Sequence, residues 1–248
     1  EWNAEVSGDY RFDFWDGQLK LIGLQYYESS PFVSSVVTTQ SGSQPTGSRF
    51  QRQADEGETI GRVEYSWQPA EGKSWELAAE GVYNFLEIDD FVEVLNNQGE
   101  FETLPSTVNN SRVEENRYEA TLSHNRPWGE KVDIQASIGI EYSEISQESR
   151  FQRFVTDPDT NMDVLTPFMT SQKRSFTRPK GFISAAYEKS DSMDIRVKLE
   201  RRVGQLNFFD FITNRISINN NNRLLSRFWN PIKPYSSRKT GVMGHFFH

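Results

Sequence analysis

Strict alternation of apolar and polar residues is the feature that most constrains how this chain folds. In residues 132–142 the even positions are apolar or aromatic, and the odd positions are polar, acidic or glycine. Successive side chains of a β-strand point to opposite faces, whereas a helix would scatter the same residues around its circumference. The pattern therefore predicts a strand with one apolar and one polar face.

The same two-residue period recurs along most of the chain. Six further segments show it clearly, and residues 19–27 are apolar enough for a strand although their alternation is blurred. The six segments are residues 6–14, 62–67, 75–85, 117–122, 183–188 and 195–200. The sequence thus predicts about eight strands and an all-β fold.

Short and long connections alternate between these strands. The short ones carry the Gly, Pro, Asp or Ser residues that tight turns require, and the long ones are polar. The short connections are residues 15–18, 69–73, 127–131 and 190–192; the long ones are 29–58, 87–116 and 144–179, and another begins near 205. Long structureless loops are uncommon in compact domains. They are expected in an antiparallel transmembrane β-barrel, which has short periplasmic turns and long extracellular loops.

Aromatic residues lie at the strand ends, as in a membrane-spanning barrel. One group is at or beside the short turns, where a ring can lie in lipid while its polar atom reaches the headgroup layer. This group comprises Trp15, Trp67, Trp75, Trp128 and Tyr187. A second group, at the opposite strand ends, comprises Tyr26, Tyr27, Tyr83, Phe85 and Tyr142. The two groups predict two aromatic belts.

Composition excludes several classes of protein. The mean hydropathy is -0.69, and no segment approaches the roughly 20 apolar residues of a membrane helix. A net charge of -8 argues against nucleic-acid binding, and the absence of cysteine excludes disulfides and thiolate metal sites. No catalytic or phosphate-binding motif is present, and His124 is the one histidine before residue 223. We therefore expect neither an enzyme nor a cofactor, and we expect the carboxylates on the polar faces to form a hydrated wall balanced by arginine and lysine.

Several segments resemble the barrel region of TonB-dependent outer-membrane receptors. They are Leu19–Leu24, Arg62–Trp67 with the turn at 69–72, Arg112–Tyr118, Ser175–Gly181 and Leu199–Phe211, and the resemblance covers roughly residues 5–215. It implies the outer membrane of a Gram-negative bacterium and import of a scarce nutrient, such as a metal chelate or oligosaccharide. The implied partners are outer-membrane lipid, a plug domain, an inner-membrane energy-coupling complex and a small nutrient ligand, without nucleic acid.

The chain departs from the family pattern in two respects. Such receptors have a 22-stranded barrel with an N-terminal plug, whereas this sequence predicts about eight strands and no plug, so we expect part of a larger up-and-down barrel. Residues 1–222 are the expected partial barrel. Residues 223–248 are basic and lack Asp and Glu. This tail is either an ordinary extracellular loop or out-of-frame sequence.

Rings on the long connections are candidates for contacting a ligand at the barrel mouth. The candidates are Phe151, Phe154, Phe168, Phe208 and Phe209. The same rings could instead only pack the loops together. Residues 157–163 also place oxygen-bearing side chains at alternate positions, but Met162 occupies the place of the glycine in a calcium loop, so a solvated acidic loop is favoured.

Two other classes remain open from the sequence. One is a small, self-contained eight-stranded outer-membrane barrel with an adhesive or structural role, in which the first strand would pair with the eighth. The other is a soluble β-sandwich that serves as a binding module, which also alternates apolar and polar residues.

Overall fold

A single antiparallel sheet contains most of the residues described by the computed structural model, which covers residues 1–190, 193–204 and 243–246. Its ten strands are β1 Trp2–Phe14, β2 Gly17–Thr38, β3 Thr46–Ala70, β4 Lys73–Leu95, β5 Phe101–Thr103, β6 Asn109–Trp128, β7 Val132–Thr156, β8 Asp163–Ser190, β9 Met193–Arg201 and β10 Met243–Phe246. A short 3-10 helix, Pro105–Thr107, precedes β6. Among the described residues, no helix has the length and apolarity to cross a membrane.

The strands follow one another as an up-and-down meander. Their order is β1-β2-β3-β4-β6-β7-β8-β9-β10, with β5 added beside β4, and all pairs are antiparallel. The eight predicted strands are confirmed as β1–β4 and β6–β9. Their short turns include Gly72 and Gly129 at φ values of 71° and 73°, a left-handed conformation that glycine adopts without strain.

The long polar connections are confirmed in position, but irregular loops are the wrong description of them. In residues 29–58, β2 continues to Thr38 and β3 begins at Thr46, so only residues 39–45 form the tip. The other two are likewise mostly strand, with tips at 96–108 and 157–162. In these hairpins polar residues occur on both faces, and apolar residues such as Ile88 and Val113 also lie on the charged face, so the alternation in the sequence is lost. Backbone hydrogen bonds nevertheless hold the strands, because they do not depend on the polarity of the side chains.

The two faces of the sheet differ sharply in chemistry and exposure. One face, here called the apolar face, is largely exposed, as shown by Tyr118, Ile138 and Leu199 at 57%, 70% and 50%. The opposite, charged face buries side chains such as Glu141 and Ser143 to 5% and 0% exposure. Since the described strands form one sheet without a second layer, this burial indicates that the sheet curls towards its charged face.

Aromatic rings form a continuous ladder across the turn-side end of the apolar face. The ring centroids are separated by 4.8 Å in Phe14–Trp15, 6.2 Å in Phe14–Tyr65, 5.3 Å in Tyr65–Trp67, 6.1 Å in Trp67–Trp75 and 4.0 Å in Trp75–His124. We call this ladder the lower belt. His124 is thus one of its rings, and its Nδ1 lies 3.0 Å from the carbonyl oxygen of Ser74.

A second group of rings lies about ten residues further along the strands. Tyr27 contacts both Trp2 and Phe85, and Phe85 contacts Tyr83, with centroid distances of 5.1, 6.3 and 6.1 Å. These rings form the upper belt. Tyr26 was expected here, but the prediction is wrong because Tyr26 lies on the charged face and its hydroxyl donates to Glu28. Adjacent residues in a strand cannot share a face.

The lower belt follows one hydrogen-bonded row of the sheet, on which Phe14, Trp67, Trp75 and His124 lie. Two further rings at the turn-side end lie off this row, since Trp128 is four residues beyond His124 on β6 and shares its row with Tyr187 of β8. The strands of membrane barrels tilt by about 35–45° from the barrel axis.

The apolar band between the belts has the thickness of a membrane interior. Trp75 and Phe85 are separated by about 33 Å along β4, which becomes about 25 Å along the membrane normal at a tilt of ~40°. A two-layered sandwich would cover this face, whereas the described residues leave it exposed. A self-contained eight-stranded barrel requires β1 to pair with β9, and within the described residues β1 pairs with β2 alone.

Candidate ligand site on the rim of the charged face

Ion pairs cross the charged face between the two belts. Arg62 lies 2.6 Å from Glu64 and 3.3 Å from Glu80, and Arg117 approaches Glu80 from the next strand at 3.5 Å. Glu64 is two residues from Arg62 on the same face of β3, whereas Glu80 is placed opposite Arg62 by the register of β3 and β4. The predicted balanced wall is therefore present here.

A second set of ion pairs lies on β6–β8. Arg178 is 2.6 Å from Glu141, and Lys180 contacts both Glu119 and Glu141, the latter at 3.8 Å. These carboxylates are held by cations rather than by one another. Glu119 and Glu141 are direct cross-strand partners, and Lys180 bridges them.

Beyond the upper belt, one hydrogen-bonded row brings residues from six strands together on the charged face. We call it the rim row. From β2 to β8 it consists of Phe32, Arg52, Asp90, Asn109, Phe151 and Phe168. Rings lie at both ends of the row, and polar groups lie between them.

Phe151 and Phe168 form one end of the rim row. They are cross-strand partners whose rings stack with centroids 5.8 Å apart and planes 12° apart. The guanidinium of Arg153, on the same face, lies 4.0 Å from the centre of the Phe168 ring. Cation and rings together form a surface on which a planar or anionic group can stack and pair.

Phe32, Phe50 and Arg52 form the opposite end. The two rings are 6.1 Å apart, and the Arg52 guanidinium lies 5.2 Å from the centre of the Phe50 ring. Nη2 of Arg52 is 3.5 Å from Oδ2 of Asp90, whose side chain is almost fully buried. Burial raises the pKa of the Asp90 carboxyl above its ordinary value, although the positive charge of Arg52 acts in the opposite direction.

Two buried serines lie next to the middle of the rim row, on β6 and β7. Ser111 and Ser149 are fully buried, and their hydroxyl oxygens are 2.9 Å apart. An apolar cluster lies next to these serines on the same charged face, on the strand segments nearer to the belts. It comprises Leu86, Ile88, Val113 and Ile145, with Ala54 and Phe176 packed against it. The polar middle of the rim row therefore adjoins a packed part of the charged face, which favours a fixed arrangement.

The predicted ligand-contacting residues are only partly brought together. Phe151 and Phe168 are in contact, but Phe154 lies on the opposite face and is 57% exposed. Phe208 and Phe209 lie outside the described residues, as does the predicted tail 223–248 except for the paired backbone of 243–246.

Sequence reasoning missed Arg52, Asp90 and Arg153 as part of the same surface. Their side chains share a face because of the cross-strand register, which no local pattern encodes. The available signal was weaker: Arg52 follows two residues after Phe50, and Arg153 two residues after Phe151, a spacing that places ring and cation on one face of a strand.

The acidic turn at 157–162 uses its oxygen atoms internally. Oδ1 of Asp157 accepts hydrogen bonds from the backbone N–H groups of Asp159 and Thr160 at 2.8 and 3.1 Å, and Oδ1 of Asp163 accepts one from Thr156. These backbone donors lower the pKa of the Asp157 carboxyl. Within the described part of the chain, no group of three or more acidic or histidine side chains is arranged to hold a metal ion.

Known folds resemble this sheet although sequences do not. No protein-family model and no curated protein matches the chain. The solved structure of the ferric yersiniabactin uptake receptor FyuA from Yersinia pestis is similar over 80% of this chain and 27% of its own, with a TM-score of 0.53 and 9% identity. The closed form of the ferric-catecholate import receptor Fiu from E. coli K12 is similar over 80% of this chain and 32% of its own, with a TM-score of 0.57 and 8% identity.

These likenesses concern the fold. The chain spans about a quarter to a third of the length of the two receptors. The predicted resemblance to the barrel of a TonB-dependent receptor is confirmed at this level, as is the antiparallel barrel-wall architecture.

Proposed function

We propose that this chain forms part of the barrel wall of a receptor in the outer membrane of a Gram-negative bacterium, which imports a scarce nutrient by TonB-dependent active transport. The observation that carries the proposal is the two-faced sheet, whose apolar band between aromatic belts is about 25 Å thick and matches a membrane. Two similar structures support it, since their names describe uptake of ferric yersiniabactin and import of a ferric catecholate. The chain's role is transport rather than catalysis.

The partners follow from the two faces. Outer-membrane lipid covers the apolar face, where exposed rings and aliphatic side chains need an apolar environment. The charged face lines the lumen, where a plug domain of the intact receptor contacts the wall. The inner-membrane energy-coupling complex acts through that plug, not through the strands described above.

The small nutrient ligand contacts the rim row. Phe151 and Phe168 offer stacked rings, and Arg153 adds a positive charge beside them. An anionic chelate that carries planar groups matches this chemistry because its rings stack on phenylalanine while its negative charge pairs with a guanidinium. Phe208 and Phe209 stay candidate contacts on the following segment.

Binding of an iron chelate by the detergent-solubilised full chain tests this proposal. The probe is the ferric complex of 2,3-dihydroxybenzoate, and the readout is the quenching of tryptophan fluorescence. We expect Phe168→Ala and Arg153→Ala each to weaken binding about fivefold, since a ring or cation–π contact contributes roughly 1 kcal/mol. Phe154→Ala is the matched control, because Phe154 lies on the same hairpin but on the opposite face.

Equal weakening by all three variants would mean that the hairpin as a whole, rather than the rim row, determines binding. Absence of saturable quenching by the ferric complex, with quenching by an uncharged metal chelate instead, would contradict an anionic ligand.

A further inference from the structure

Two cations lie just outside the lower belt, at the turn-side end of the apolar face. Lys73 is two residues before Trp75 on β4. Arg126 lies between His124 and Trp128 on β6, two residues from each. Alternation of side chains along a strand therefore places both cations on the same face as these rings. Both cations are exposed, and both lie on the side of the belt away from the apolar band.

The pairing of β4 with β6 brings the two cations side by side. Ser74 is the partner of Asn125, and each cation is the next residue of its strand towards the turns. The turn before β4 also packs against the end of β6, since a Cβ added at Gly72 would lie 3.0 Å from Cγ of Pro127. Neighbouring strands are about 4.8 Å apart. Two positive charges are thus held within reach of one anionic group.

No carboxylate neutralises these two charges in the part of the chain that the structure describes. On the charged face, Arg62 and Arg178 each lie 2.6 Å from a carboxylate, whereas the two cations outside the belt form no ion pair among the described residues. Two like charges side by side repel each other, so this arrangement favours an anionic partner. The outward positions beside them are Trp67, Val132 and Ile134, and the acidic residues at this end, Glu71 and Glu130, are in the turns.

The two cations lie at the depth of a lipid headgroup. The rings of Trp75 and His124 stack at the end of the apolar band, with centroids 4.0 Å apart and planes 23° apart. Lys73 is two residues further out, which is about 7 Å along the strand and about 5 Å along the membrane normal at a tilt of ~40°. Aromatic belts lie at the level of the headgroups, and the long side chains of lysine and arginine extend further towards the phosphates.

We propose that Lys73 and Arg126 bind the headgroup of an anionic phospholipid, whose acyl chains lie against the rings of Trp75, His124 and Trp128. The inference rests on the proposed function in one respect, namely that the apolar face contacts lipid. The short turns of such barrels face the periplasm, so the site is in the periplasmic leaflet. Lysine and arginine near a membrane surface attract anionic headgroups, whereas a zwitterionic headgroup carries its own positive charge, which the two cations repel.

Quenching of tryptophan fluorescence by brominated phospholipids tests the proposal. The full chain is reconstituted in phosphatidylcholine vesicles that contain a small, equal fraction of a phospholipid with brominated acyl chains, either phosphatidylglycerol or phosphatidylcholine. The signal reports on this end of the sheet because Trp15, Trp67, Trp75 and Trp128, four of the six tryptophans, lie at or beside the short turns. We expect brominated phosphatidylglycerol to quench more strongly than brominated phosphatidylcholine.

Removal of the charges assigns this preference to the two cations. Lys73→Gln and Arg126→Gln should each lower the preference for phosphatidylglycerol about fivefold, and the double change should abolish it. The matched control is Arg150→Gln with Lys173→Gln, which removes two outward-facing cations beyond the upper belt, where each is paired with a glutamate. This control should keep the preference. Protection from protease in the vesicles checks that every variant is inserted.

Equal quenching of the unchanged chain by the two brominated lipids would overturn the proposal. Loss of the preference in the control as well would also overturn it, because net charge rather than this site would then select the lipid. Absence of quenching by either lipid would refute the contact of the apolar face with lipid, and with it both this site and the proposed function. Failure of the site alone is therefore distinguishable from failure of the proposed function.

Discussion

Ile138 lies near the middle of the apolar band on β7, and its replacement by arginine measures whether that face contacts lipid. The residue is 70% exposed and lies between Val132 and Tyr142, which mark the ends of the band on this strand. Arginine at the bilayer midplane on the lipid face of a barrel costs about 2–4 kcal/mol. This corresponds to a loss of about 30- to 900-fold in the folding equilibrium constant.

The matched control is Gln135→Arg, three residues earlier on the same strand. Gln135 is exposed on the charged face, so its replacement should change the free energy of unfolding by less than about 1 kcal/mol. The assay is urea unfolding of the full chain in phosphatidylcholine vesicles, followed by tryptophan fluorescence and by protection from protease. Equal unfolding midpoints for the two arginine variants would refute the assignment of the apolar face to lipid.

Two further predictions concern charges. Backbone N–H groups of the turn lower the pKa of Asp157, so the stability that this carboxylate contributes is present above its unfolded pKa of about 3.9 and is lost as the pH falls through its lower folded value. The amide signals of the turn in NMR spectra should therefore shift in acid, and signals that stay constant to pH 2 would speak against it. Glu141→Ala leaves Arg178 and Lys180 without their common carboxylate in a partly buried position and should cost about 2–4 kcal/mol, whereas Glu200→Ala removes a more exposed pair and should cost about 0–1 kcal/mol. Urea unfolding in vesicles measures both, and equal costs would contradict the difference in burial.

The predicted strands agree with the structure where the two faces meet different surroundings. Residues 132–142 alternate because one face lies in an apolar environment and the other among ion pairs, so the sequence carries the strand signal directly. Residues 143–156 belong to the same strand, β7, but both of their faces carry polar and apolar residues together. Their alternation is lost, and the strand was interpreted as a loop.

For the rim row, too, the sequence did not show which candidate residues contact one another. Phe151, Phe154 and Phe168 were equivalent candidates in the sequence, since all three lie in one polar connection. The face on which each ring lies follows from the alternation of side chains along its strand. The partner of each ring follows from the register between β7 and β8, which places Phe151 opposite Phe168.

The sequence by itself determined the strand positions, the short turns, the two faces of the sheet and the aromatic residues of the lower belt. These features are local, because a two-residue period and a turn-forming residue act within a few positions of one another. Only the tertiary structure decided the length of the hairpins, the position of Tyr26 on the charged face, the row along which the lower belt runs and the row that joins Arg52 and Asp90 to the rings of Phe151 and Phe168. Each of these depends on the register between strands far apart in sequence, which arises from backbone pairing that the side-chain pattern of a single strand does not encode.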